Sequence, residues 1–219
     1  MKKTLEEIML TVYLMRHGQS QANLERIFAN GDDGYPLTEE GRAQVSLTAE
    51  LLALKNIKRI YTSPILRARQ SAAIVEKKLG IESVVLDEIR EFSVGELEGR
   101  PISGEAEATF MRLMLQWITG NSSEKIPGGE NHLEIIGRMK KAIDIVVSEN
   151  HVGEVLLVSH GGFLTMTLPF LCSGIDIREF FSRPSYGIGN CSITTVRVNN
   201  GAQFPSIELV DWANSSHLG

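Results

Sequence analysis

The chain has 219 residues, 42% hydrophobic and 22% charged, with a formal net charge of −5. That balance excludes a disordered or collagen-like chain and a general nucleic-acid coat, and the length suits one domain whose core needs neither disulfide nor structural metal. Cys172 and Cys191 are too few for a disulfide scaffold, and no apolar run approaches the roughly 20 residues that span a bilayer, so a soluble cytoplasmic protein is expected. Lys2 and Lys3 imitate the start of a signal peptide, but Glu6 and Glu7 fall where its apolar core would run.

The apolar pattern alternates between short runs and helical spacing. Residues 8–15 are rich enough in branched and aromatic residues to form a strand. Val45, Ala49 and Leu52 then mark a helical face, after Thr38 as cap and Glu39 and Glu40 in the first turn. Residues 57–61 read as a second strand, followed by Ser63-Pro64 as N-cap and first helical residue. Ala68, Ala72, Val75 and Leu79 give that helix its buried face, and Gly80 its stop. A strand at 84–86 precedes a Gly- and Pro-containing stretch at 95–104, a helix over 103–119 and a loop over 120–129. Ile136, Met139, Ile143 and Val146 mark the next helix, 155–158 a compact strand, and 163–171 a helix after Gly161-Gly162. Strands at 192–198 and 207–210 close the chain. Such alternation predicts an α/β layered fold on a mostly parallel sheet, one domain over 1–219, with 90–130 as an insertion or lid.

Three strand ends carry unusual polar groups: Arg16-His17-Gly18, then Ser63-Pro64 with Arg67, and Ser159-His160-Gly161-Gly162. Ligands of open α/β sheets bind beyond the carboxyl ends of the strands, so Arg16, His17, Arg67 and His160 are aimed at one edge. Two guanidiniums and the backbone N–H groups of two helix starts suit a tetrahedral dianion, and a phosphoryl group is the natural ligand.

These residues belong to a longer pattern. Leu14 to Ser20 (LMRHGQS) with Asn23, Pro36 to Gly41 (PLTEEG), Tyr61 to Ala72 (YTSPILRARQSA), Glu91 to Gly99 (EFSVGELEG), Pro127 to Glu130 (PGGE) and Ser159 to Gly162 (SHGG) together resemble the histidine phosphatase superfamily, the phosphoglycerate mutase-like proteins. The resemblance runs from about residue 9 to residue 196. It implies a three-layer α/β/α sandwich and a covalent mechanism. His17 would attack phosphorus and become a phosphohistidine. Arg16, Arg67, His160 and Asn23 would bind the phosphoryl oxygens, and Glu91 would protonate the leaving oxygen and then deprotonate water. The chemistry agrees: imidazole is a nucleophile when one ring nitrogen is free, clustered donors stabilise transferring phosphoryl charge, and a carboxyl of raised pKa can act as acid and then base. No metal or cofactor is called for.

Each residue also has a structural reading. His17 could be a packed or capping histidine, but Arg16 and His160 beside it disfavour that. Arg67 sits in a helix's first turn, where a cation opposes the dipole, so a ligand role gains. Arg69 and Gln70 read as a solvated face. Asp87, Glu88, Glu96 and Glu98 compete with Glu91, which is chosen on its motif. Asn23 could merely end a turn, Ser20 reads as a local hydrogen-bonding residue, and His132, His151 and His217 lack metal-ligand spacing. Cys172 and Arg178 show the Cys-x5-Arg spacing of thiol phosphatases. Asp176 would put a negative charge inside that cradle and Glu179 another just after its arginine, so the spacing is discounted.

Within the resembling family, mutases carry extra residues after the acidic block and longer chains. Here Glu91 to Gly99 runs directly into Arg100-Pro101-Ile102, which favours hydrolysis of small phosphate monoesters over mutase transfer or a non-catalytic phosphate-binding module. The expected partner is a small phosphate ester, not nucleic acid or membrane. Substrate identity and oligomeric state are left open.

Overall fold

A computed structural model describes residues 9–31, 34–150, 153–199 and 205–219; Lys2, Lys3, Glu6, Glu7, Ile8 and His151 lie outside the described residues. Six strands form one sheet: β1 (Met9–Arg16), β2 (Ile57–Thr62), β3 (Ser83–Val85), β4 (Gly153–Ser159), β5 (Ile193–Asn199) and β6 (Ser206–Asn214). Their order is β3-β2-β4-β1-β5-β6. The pairs β3–β2, β2–β4 and β4–β1 are parallel, and β5 and β6 add an antiparallel edge.

The two-residue period of a strand places the helices on both faces. In β1, Leu10, Val12 and Leu14 turn to one core and Tyr13 and Met15 to the other; in β4, Val155 and Leu157 oppose Leu156 and Val158 in the same way. The second core is closed by α2 (Glu39–Leu52), through Val45, Ala49 and Leu52, and by α3 (Leu66–Leu79), through Ala68, Ala72 and Val75. The first is closed by α5 (His132–Glu149) and α6 (Gly161–Leu171), with Trp117 and Met114 of α4 (Gly104–Ile118) packed beside them. The result is the expected three-layer α/β/α sandwich. Two short helices, α1 (Gln21–Glu25) and α7 (Ile177–Ser182), fall in segments the periodicity leaves unassigned. Among the described residues no helix is long and apolar enough to cross a membrane.

Local chemistry explains the boundaries. Thr38 Oγ1 accepts from Gly41 N at 2.9 Å and starts α2 as expected. Gly80, at φ 70°, ends α3 in the left-handed region that glycine enters without strain. The start of α3 differs from expectation: Ile65, not Ser63, is the N-cap, and Pro64 lies in the preceding turn. Ser63 Oγ does accept from Ile65 N, as a cap would, but the first backbone bonds of the helix run from Ala68 N and Arg69 N to the Ile65 carbonyl, so the helix begins beyond Pro64. On α5 the buried neighbour of Met139 is Ile135, with Ile136 only half-buried. Between β3 and α5 the chain runs through two 3₁₀ turns, Asp87–Ile89 and Gly95–Leu97, before α4. Gly95, at φ 54°, sits so close to Pro127 that a Cβ would lie 2.0 Å from its carbonyl oxygen, which locks the 93–97 turn onto the loop before α5.

Candidate active site

Strands β2, β4 and β1 are neighbours, so their carboxyl ends lie side by side. β1 delivers Arg16 and then His17; β2 leads through Ser63 to Arg67, the second residue of α3; β4 leads to His160, the N-cap of α6. Beyond them lies a cleft of about 220 Å³ lined by Arg16, His17, Asn23, Arg67, Glu91, Gly161 and Gly162, with Phe28, Phe92 and Phe110 as an apolar wall. Five of the six residues singled out in the sequence line it, and the sixth, His160, packs against His17 with ring centroids 5.2 Å apart.

His17 is only 2% exposed. Its Nδ1 lies 2.7 Å from the Gly18 carbonyl oxygen, which can only accept, so Nδ1 carries the ring proton. The lone pair therefore sits on Nε2, where Arg67 Nε donates at 2.9 Å. Burial first, then the charges of Arg67 and Arg16, holds the His17 pKa well below its ordinary value and keeps the ring neutral. The loop is positioned by close approach: a Cβ on Gly18 would lie 2.5 Å from the Gly41 carbonyl oxygen, so only glycine lets β1's end meet α2 there.

The surrounding donors have unused capacity. Arg16 Nη1 donates to the Ile188 carbonyl at 2.6 Å, while its buried Nε has no acceptor among the described residues. Ser63 Oγ accepts from Ile65 N at 3.3 Å and also hydrogen-bonds His160 Nε2 at 2.7 Å. The other ring nitrogen of His160, Nδ1, is buried and has no partner among the described residues. An unpartnered guanidinium N–H and an unpartnered ring nitrogen beside His17 leave polar capacity for an anion. Arg67 is pushed down to about 10, chiefly by burial, and stays charged at neutral pH. Asn23 Oδ1 takes donors from Ser20 N, Ser20 Oγ and Asn190 Nδ2, so the amide N–H groups are what it can offer a ligand.

Glu91 completes the constellation. Its Oε1 accepts from Phe92 N at 3.1 Å and its Oε2 from Gly162 N at 3.0 Å, at the start of α6. Burial raises its pKa despite Arg67, these two backbone donors and Arg16. Three of the four competing carboxylates are engaged elsewhere, Glu98 with Asn30 N and Gly31 N, Glu88 with Lys141 at 2.6 Å and Asp87 with Arg90 at 3.5 Å, and the fourth, Glu96, is exposed. The two glycines of α6 make room for this arrangement. A Cβ on Gly161 would lie 3.0 Å from Arg16 Nε, and one on Gly162 3.0 Å from both Glu91 oxygens and 2.9 Å from Phe92.

Several readings need revision or completion. Gln70 is not a solvated residue: its Oε1 accepts from Leu37 N at 2.8 Å and ties α3 to the loop before α2. Arg69 is exposed as expected, and Ser20 bonds locally to Asn23. Cys172 is buried, with its thiol pushed up to about 12, and Asp176 caps α7 through Glu179 N at 3.0 Å, so nothing there cradles a phosphate. Asn190 was not anticipated. Its Nδ2 bridges the His17 carbonyl and Asn23 Oδ1, both at 3.1 Å, from a loop before β5 that carries no motif. The aromatic wall was missed as well, because Phe28, Phe92 and Phe110 come from three separate segments.

The model of the histidine phosphatase superfamily (branch 1) matches residues 12–212. The probable phosphoglycerate mutase GpmB of Yersinia enterocolitica is 35% identical over 213 residues, covering 96% of this chain and 95% of that protein. Among solved structures, Bacillus stearothermophilus YhfR is similar with a TM-score of 0.79 and 24% identity, over 96% of this chain and 100% of that one. A mycobacterial glucosyl-3-phosphoglycerate phosphatase is similar with a TM-score of 0.78 and 23% identity, over 94% and 99%.

Proposed function

The chain belongs to the histidine phosphatase superfamily, branch 1, and from that premise we propose that it hydrolyses small phosphate monoesters through a phosphohistidine on His17. The observation that carries the proposal is the His17 hydrogen-bond pair: Nδ1 donates to Gly18 O and Nε2 keeps its lone pair toward Arg67, a neutral imidazole set as a nucleophile. A monoester binds with its non-bridging oxygens on Arg16, Arg67, His160 and Asn23. Nε2 attacks phosphorus in line, the N–P bond forms as the bond to the leaving oxygen breaks, and the Glu91 carboxyl gives that oxygen its proton. The departing alcohol admits water. Glu91, now a carboxylate, takes a proton from the water as its oxygen bonds to phosphorus, the N–P bond breaks, and inorganic phosphate leaves. Phe110 of α4 lines the cleft, which supports a lid role for the 90–130 segment.

A mutase reading is favoured by the name the curated relatives carry. In it a bound acid, not water, takes the phosphoryl group. One assay separates the readings: release of inorganic phosphate from p-nitrophenyl phosphate and 3-phosphoglycerate, run beside interconversion of 2- and 3-phosphoglycerate with 2,3-bisphosphoglycerate. Phosphate release that His17→Ala abolishes, by about 10³-fold or more, with no interconversion, is the expected outcome. Interconversion without release establishes the mutase. Near-normal release by His17→Ala removes His17 as the nucleophile.

A further inference from the structure

Beside the phosphate cleft lies a second, larger one of about 600 Å³, and the two share Arg16, Phe110, Gly161 and Gly162 along their common edge. This cleft is lined on one side by α4, on another by the start of α6, and on the third by the segment that follows α7. Arg16 ties the third side to the site, because its Nη1 holds the Ile188 carbonyl at 2.6 Å. The α4 side presents Met111, Leu115 and Ile118, spaced so that they share one helix face. Ile118 is partly buried against the core, but Met111 is 51% and Leu115 60% exposed, so the outer part of that stripe lies open to the cleft. Among the described residues, the charged lining consists of Arg16 and Arg112, with no carboxylate and no lysine.

We propose that this cleft receives the alcohol part of the substrate, and that the protein prefers phosphate monoesters of apolar alcohols or phenols over those of polyols and hydroxy acids. This rests on the phosphatase reading above. Continuity with the phosphate cleft supplies the geometry: a monoester whose phosphorus faces His17 has its bridging oxygen at the shared edge, and its carbon skeleton enters the apolar space. The volume falls within the range of cavities that hold small organic ligands, roughly 300–1,000 Å³. A polyol or sugar there would leave several hydroxyls desolvated and unpaired, whereas an alkyl chain or ring covers Met111, Leu115 and Ile118 and removes their surface from water.

The test is kcat/KM along unbranched alkyl phosphates from ethyl to hexyl, whose leaving groups are closely matched in acidity. Glycerol 1-phosphate serves as the polyol comparison and p-nitrophenyl phosphate as the general substrate. We expect kcat/KM to rise about twofold to fourfold per methylene, and hexyl phosphate to exceed glycerol phosphate by more than about tenfold. Leu115→Gln, and independently Met111→Gln, both at exposed positions, should bring the hexyl-to-ethyl ratio down about threefold or more. A flat or falling series, with p-nitrophenyl phosphate still turned over, overturns the cleft assignment and leaves the phosphatase standing. An unchanged ratio in both variants overturns it too, as does a dimer that Leu115→Gln splits in sedimentation, since a second copy would then cover the stripe. Absence of turnover on every ester, p-nitrophenyl phosphate included, overturns the phosphatase reading and this one together.

Discussion

In the proposed reaction Glu91 holds a proton where most carboxyls have lost theirs, and its surroundings favour that. Burial raises its pKa, and Phe92 N and Gly162 N fix the two oxygens without fully restoring the anion's stability. The sign for catalysis follows. The first step needs the protonated form, so turnover of esters with poor leaving groups falls as pH rises through the raised Glu91 pKa. Glu91→Gln should slow alkyl phosphates by about 10²-fold or more and p-nitrophenyl phosphate by less than about tenfold, and should erase that basic limb from the alkyl phosphate profile. Equal slowing of both substrates would make Glu91 a positioning residue only. At this scale legibility depended on chain distance. Glu91 was readable because its block is local, whereas Asn190 meets His17 across 173 residues of sequence and nothing near it marks the meeting.

His132, the first residue of α5, is dismissed by its sequence context as ordinary, and the structure makes it a junction of three helices. Its ring stacks on Trp117 of α4 at 5.3 Å and 11°, and meets the edge of Phe170 on α6 at 4.3 Å. Its Nε2 lies 2.8 Å from the Met166 carbonyl oxygen and its Nδ1 3.2 Å from Ser122 Oγ. Because burial lowers its pKa, the ring stays neutral at neutral pH. His132→Ala removes the stack, leaves a cavity and strands the Met166 acceptor, so we expect a loss of about 2–4 kcal/mol in urea unfolding. A loss under about 0.5 kcal/mol would mean that α4 and α6 are joined by other contacts. Elements with a long apolar period, such as α2, α3 and α5, could be read before any coordinate was known. The start of α3 could not, since Ser63 makes the bond to Ile65 N that its cap signal promises and the helix still begins two residues later. α1 and α7, of five and six residues, are too short for a period to show.

For the whole molecule, the site makes stability depend on pH. His17 and His160 are both held neutral by burial and by neighbouring arginines, so their folded pKa values lie well below the ordinary one. The unfolded chain binds those protons first as pH falls, and native stability is lost below about pH 6.5, at up to about 1.4 kcal/mol per pH unit for each ring. Glu91 acts in the opposite sense. Its raised folded pKa means that the native state gains stability as pH falls through that value toward the ordinary carboxyl range, offsetting part of one ring's loss. Urea unfolding from pH 7.5 to 5 should therefore show a decline that flattens in His160→Asn, and an unchanged slope in that variant would mean that the ring is protonated in the fold. The layering that creates this burial was legible from strand and helix alternation. The two adjoining clefts were not, because their walls come from segments that meet only once the sheet has assembled.

The contact between Arg67 Nε and His17 Nε2, at 2.9 Å, has one further effect. For the nucleophile proposed here, the lone pair that must reach phosphorus is already occupied in the resting protein. It is freed only when a stronger acceptor takes the guanidinium away, and an oxygen of an incoming phosphoryl dianion is such an acceptor. Neutral electrophiles offer nothing to draw Arg67 aside, so they meet a histidine whose reactive atom is masked. A single hydrogen bond thus acts as a gate keyed to charge, and the group that opens it is the group the proposed reaction transfers.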